Sequence, residues 1–220
     1  MYIDIHTHLD KEASDEVITI RSVYVKEELN LSPNTNFSYG IHPWYIDQPF
    51  DNQLLLLASF LNDMKPWNIA LGELGLDSNA QVNLDTQIEV VKQQLELIKS
   101  MNSLKVVIVH CVKKYNDMLN IIHKYPEFIY VFHAFNGNEQ ITKDYLTNPN
   151  IYFSFGMREL SRNKIETILT LIPLNRIFFE TDEDINYSIQ EVYSKYSTIQ
   201  NVDIELIKNQ IYTNFKKIFN

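Results

Sequence analysis

Four histidines and two carboxylates stand where short apolar runs of the sequence stop. His6 and His8 follow Tyr2-Ile3-Asp4-Ile5, and Glu73 follows Ile69-Ala70-Leu71-Gly72. His110 follows Val106-Val107-Ile108-Val109, His133 follows Ile129-Tyr130-Val131-Phe132, and Asp182 follows Ile177-Phe178-Phe179-Glu180-Thr181. Imidazole nitrogens and carboxylate oxygens are the donors that divalent cations take, and zinc, manganese and magnesium are all compatible with such a set. Each group taken singly has a plainer explanation. A His-x-His pair arises by chance, His110 and His133 could be core histidines satisfied by hydrogen bonds, Glu73 a solvated loop carboxylate, and Asp182 part of the acidic turn Glu180-Thr181-Asp182-Glu183-Asp184. Their joint placement at five strand ends points instead to a site for one or two divalent ions. Cys111 is the single cysteine, which removes both a disulfide framework and a cysteine zinc site.

The elements that must position these groups follow from the hydrophobic pattern. Apolar or β-branched runs predict strands near 2–6, 17–25, 36–41, 68–73, 105–109, 128–132, 151–155 and 177–181. Amphipathic segments predict helices near 51–64, 84–101, 113–124, 138–147, 162–171, 188–199 and 203–219. The clearest helix is 84–101, where Leu84, Ile88, Val91, Leu95 and Ile98 recur at steps of three and four and Asp85 suits the positive helix start. Strands alternating with helices make parallel βαβ units. The expected fold is therefore an α/β TIM-type (β/α)8 barrel, a single domain over 1–220, in which strand C-terminal ends converge on one face. The links 9–16 and 26–35 are too brief for full helices, so the barrel is expected to be compact with shortened early connections.

The bulk numbers narrow the function classes. The chain has 220 residues, 45% of them hydrophobic, as in ordinary globular proteins. No basic-then-apolar leader opens it and no run approaches a membrane span, which makes a cytoplasmic protein without membrane contact the expectation. Nothing in the sequence calls for an obligate protein partner. With 19 basic against 28 acidic residues the net charge is −9, which disfavours a broad basic grip on nucleic acid. The 13 Tyr and 12 Phe are scattered and read as packing residues rather than a stacking platform.

Seven segments, in order, carry a resemblance. They are Ile3-Asp4-Ile5-His6-Thr7-His8-Leu9-Asp10, Gly40-Ile41-His42-Pro43, Gly72-Glu73-Leu74-Gly75-Leu76-Asp77, Val107-Ile108-Val109-His110, His133-Ala134-Phe135-Asn136-Gly137, Phe179-Glu180-Thr181-Asp182 and Asn214-Phe215-Lys216-Lys217-Ile218-Phe219. Together they resemble the TatD-related metal-dependent hydrolases. The resemblance implies a barrel, divalent metals and hydrolysis of phosphodiester bonds in DNA, often from an end. It assigns His6, His8 and Asp182 to one metal, with Glu73 bridging to a second held by His110 and His133. Two cations about 3.5–4 Å apart suit phosphoryl chemistry. Glu73 and Asp182 become the catalytic carboxylates, Asp182 orienting or deprotonating the attacking water, and His42 a substrate or supporting contact. His123 matches nothing and is expected at the surface.

Three departures concern the substrate side. Where the family commonly carries a serine and an arginine, Cys111-Val112-Lys113-Lys114 follows His110, leaving Lys113 and Lys114 as the candidate phosphate contacts. Glu183-Asp184-Ile185-Asn186 replaces the usual Ala-Pro-aromatic stretch, and Asn136 replaces a serine. The expected substrate is a DNA end or a small phosphodiester or ester. The alternatives are an amidohydrolase-like enzyme on a small ester, amide or phosphoester, and a non-enzymatic degenerate barrel.

Overall fold

Strands buried on both faces are apolar with few interruptions, and Val106–Val109 and Ile151–Phe153 are such runs in the computed structural model, which describes all residues except 11–14, 27–35, 64–67, 102–103 and 220. The strands are β1 (Tyr2–Thr7), β2 (Val17–Tyr24), β3 (Asn36–Gly40), β4 (Asn68–Asp77), β5 (Val106–Val112), β6 (Ile129–Phe132), β7 (Ile151–Phe155) and β8 (Ile177–Phe179). They hydrogen-bond in chain order, with parallel registers for β1 on β2, β3 on β4, β4 on β5 and β7 on β8. The helices are α1 (Asp51–Asp63), α2 (Leu84–Met101), α3 (Tyr115–Ile122), α4 (Glu139–Leu146), α5 (Met157–Leu160), α6 (Ile165–Leu171), α7 (Ile189–Gln200) and α8 (Ile204–Phe219). Parallel strands in chain order with helices between them are a TIM-type (β/α)8 fold, as the hydrophobic pattern predicts. The early links fall largely on 11–14 and 27–35, outside the described residues. Among the described residues no helix is long and apolar enough to cross a membrane.

Residue contacts divide the chain into two units. The first joins Met1–Arg21 to Val131–Asn220. Its core is aromatic, with Phe135 packing edge-on against Phe153 at 4.7 Å and Phe132 against Tyr145 at 4.8 Å. Helix α7 is fastened to β1 by the buried Tyr193, whose hydroxyl accepts from Ile3 N at 3.0 Å and donates to Ile3 O at 3.2 Å. Asn214, from the terminal motif, ties α8 inward by donating to the carbonyls of Leu174 and Ile177 at 2.9 and 3.0 Å.

The second unit, Ser22–Tyr130, is built around β3, β4 and β5. Val106, Val107, Ile108 and Val109 are all buried in β5, as are Val91, Leu95 and Ile98 on α2. Each such side chain contributes about 1.5–3 kcal/mol by leaving water. Strand β4 runs on to Asp77, past the expected end at 73. The extension depends on Gly72 and Gly75, on either side of Glu73-Leu74, which carry no side chain where backbone must meet backbone. They sit at φ +135° and +153°, and a Cβ on Gly75 would lie 1.8 Å from His110 O. Leu74, Gly75, Leu76 and Asp77 therefore pair with Val109, His110, Cys111 and Val112. The helix expected from 162 starts at Ile165, after Lys164 adopts a left-handed φ of 62°.

Candidate functional site

In the first unit the end of β1 is laced to the segment after β8. Asp182 N donates to His6 O at 3.0 Å, and His8 N donates to Asp182 O at 3.1 Å. The Thr7 hydroxyl donates to the same carbonyl at 3.0 Å. Asp182 takes a left-handed φ of 49°, a conformation that non-glycine residues adopt where surrounding contacts enforce it. Below it, the buried Asp4 accepts from Thr181 N at 3.0 Å and from the Thr181 hydroxyl at 2.8 Å. This lacing brings His6 Nε2 and His8 Nε2 each to 3.6 Å from Asp182 Oδ1. His133 joins them, its ring centroid 4.3 Å from that of His6. Ligand atoms of His6, His133 and Asp182 all lie within 4.8 Å of one another. Glu180 Oε1 accepts from Ala134 N, next to His133, at 2.7 Å and lies 3.7 Å from His133 Nδ1.

A separation of 3.6 Å is too long for a hydrogen bond. It suits two donors on one cation, because metal–ligand bonds of about 2.0–2.2 Å set tetrahedral edges of about 3.3–3.6 Å. His6 is buried, whereas His8 and Asp182 are close to 30% exposed, so the set opens on one side.

The second unit holds another set. His110 Nδ1 lies 3.4 Å from Glu73 Oε1, and His110 Nε2 lies 2.9 Å from Asp77 Oδ2. In the neutral ring that donates from Nε2 to Asp77, Nδ1 presents a lone pair towards Glu73. Two acceptors facing each other at that distance fit a cation between them. Burial pushes the Asp77 carboxyl up, but hydrogen bonds from His110, the Asn79 backbone and Trp44 outweigh it and hold the group below its ordinary value. A carboxylate behind a ligating histidine fixes its orientation and raises its basicity.

His42 is placed differently. The Trp44 backbone N–H donates to His42 Nδ1 at 3.1 Å, so the neutral ring carries its proton on Nε2, 3.7 Å from Glu73 Oε1. That distance is again too long for a hydrogen bond, and ligand atoms of His42, Glu73 and His110 all lie within 4.8 Å of one another. Two buried glutamines on α2 hold the backbone here. Gln94 accepts from Ile41 N at 2.8 Å and donates to Ile41 O at 3.2 Å. Gln87 accepts from Asp77 N at 2.7 Å and donates to Asp77 O at 3.1 Å.

The TatD related DNase family profile matches residues 19–220. The chain belongs to the TatD family. It is a metal-dependent hydrolase of that family, and its fold matches the TatD homologue YJJV of Escherichia coli K12 with a TM-score of 0.83 at 19% identity, covering 100% of this chain and 98% of the other. It is 28% identical over 152 residues to the human 3'-5' RNA nuclease TATDN2, a match covering 66% of this chain and 19% of that protein, so the chain spans about a fifth of that relative's length. An uncharacterized metal-dependent hydrolase of Haemophilus influenzae is 24% identical over an alignment of 262 positions covering 99% of each.

Of the TatD motif residues, His6, His8, His133 and Asp182 fall in the first unit, and His42, Glu73 and His110 in the second. Glu73 and His110 lie inside β4 and β5 rather than at their ends. Lys113 and Lys114 occupy the turn from β5 to α3, Lys113 exposed with a φ of 57°. His123 is exposed, as expected. Burial pushes the Cys111 thiol up to about 12, which keeps it protonated. Asp4, Asp77, Glu180, Gln87 and Gln94 support the site without being among its expected residues. The first three stand within the TatD motifs, and the two glutamines interrupt the apolar stripe of α2 two turns apart, which is their signal in the sequence.

Proposed function

We propose that this chain is a divalent-metal-dependent phosphodiesterase acting on DNA ends. The observation that carries the reading is the pairing of Glu73 with His110 and of Asp182 with His6 and His8 at separations of 3.4–3.6 Å. His6, His8, His133 and Asp182 would hold one cation, and Glu73 with His110 a second. Such cations supply Lewis acidity towards a phosphoryl oxygen. Asp182, partly exposed and held by its backbone, would accept a proton from the attacking water at its carboxylate. The His42 imidazole would donate a hydrogen bond from Nε2 to a phosphate oxygen of the substrate. Lys113 and Lys114 would add charge just beyond the C-terminal end of β5.

A smaller phosphoester or ester is the second reading, favoured by Glu183 and Asp184 directly after Asp182 and by the net charge of −9. The test is a cleavage screen on chelated and re-metallated protein across single-stranded DNA, duplex DNA, RNA, small phosphodiesters and esters. The proposal expects metal-dependent cleavage with single-stranded DNA ends preferred, and a log–log salt slope of about −1 to −2 in binding. Efficient turnover of a small ester with no metal-dependent cleavage of any nucleic acid would overturn it.

A further inference from the structure

Trp44 is 55% exposed and Tyr45 45% exposed, side by side in a 3-10 turn (Pro43–Tyr45) directly after His42. Large aromatic faces in water are unfavourable, and this indole has neighbours on only part of its surface. It is oriented by a hydrogen bond, the indole N–H donating to Asp77 Oδ2 at 2.7 Å. The same oxygen receives His110 Nε2, so one buried carboxylate sets both a candidate metal ligand and an exposed ring. The Trp44 ring centroid lies 5.7 Å from that of His42 and 6.3 Å from that of His110. Tyr45 is held by stacking on Tyr24, with centroids 4.3 Å apart and planes 29° from parallel.

We propose that Trp44, flanked by Tyr45, is a stacking platform for a nucleobase next to the phosphodiester that is cut. The inference rests on the phosphodiesterase reading above and adds how the substrate is recognised. A platform orients a base irrespective of its identity, because every base has a π-face. It also suits an acidic protein, since the grip comes from the ring rather than from many cations.

The experiment compares metal-loaded wild type with Trp44→Ala and Trp44→Phe on short single-stranded DNA and RNA. Each oligonucleotide is made with normal terminal residues and with an abasic residue on one or the other side of the terminal linkage. Wild type should prefer the base-bearing substrate by about tenfold or more in kcat/KM, mainly through KM. Trp44→Ala should bring that ratio close to one, and Trp44→Phe, which keeps a ring, should retain most of it. The ratio separates stacking from any general loss of rate transmitted through Asp77. Equal cleavage of base-bearing and abasic substrates by wild type, or an unchanged ratio in Trp44→Ala, would overturn the platform while leaving the phosphodiesterase reading standing. If no nucleic acid is cleaved, quenching of tryptophan fluorescence by a nucleoside monophosphate decides the matter. Quenching lost in Trp44→Phe supports the platform although the nuclease reading has failed, and the absence of quenching in wild type overturns it.

Discussion

The two candidate ligand sets use the same side-chain types but are held by different means. In the first unit the supports are backbone groups and two carboxylates: Asp182 exchanges hydrogen bonds with His6 and His8, Asp4 anchors Thr181, and Glu180 holds the backbone beside His133. In the second unit the supports are missing side chains, side-chain amides and a single carboxylate. Gly72 and Gly75 let β4 lie against β5, Asp77 orients His110, and Gln87 and Gln94 clamp strand-end backbone. A ligand pair on neighbouring strand ends can be fixed by the ladder itself, whereas a carboxylate in mid-strand needs room made for it.

The sharpest way to break the comparison is Gly75→Ala. Its Cβ would fall 1.8 Å from His110 O at a φ of +153°, so unfolding in urea should show a loss of at least ~3 kcal/mol. A variant as stable as wild type would mean that β4 does not need the glycine. Asp4→Ala probes the first unit in the same way. It leaves the buried Thr181 N–H and hydroxyl without their carboxylate, and the expected cost is about 2–3 kcal/mol by the same measurement. Asp77→Asn is the smallest change and should leave the fold in place. It removes the charge behind His110, so calorimetric titration should show metal affinity down roughly 10- to 100-fold at one site. An equal loss at every site would contradict the separate support of the two sets.

Much of this was legible in the sequence, and the reason is physical. Strands such as Val106–Val109 are apolar at every position because both faces are buried, and α2 shows its period because only one face is. The metal-ligand candidates stand out because histidine and acid are costly at the ends of such strands. The supports were harder to see. Asp77 reads as the tail of a motif until β4 is known to run on to it, and that extension depends on glycine contacts with a strand beyond the whole of α2, about which local pattern says nothing. Trp44 and Tyr45 read as packing residues because exposure is not a property of composition.

The most direct test of the account is metal content by inductively coupled plasma mass spectrometry alongside cleavage of a labelled single-stranded oligonucleotide, comparing wild type with Glu73→Ala. Glu73 is buried against His110, with Oε1 at 3.4 Å from Nδ1, so the variant should lose bound metal and cleavage together while keeping its secondary structure. Normal metal stoichiometry with normal turnover in Glu73→Ala would contradict the assignment.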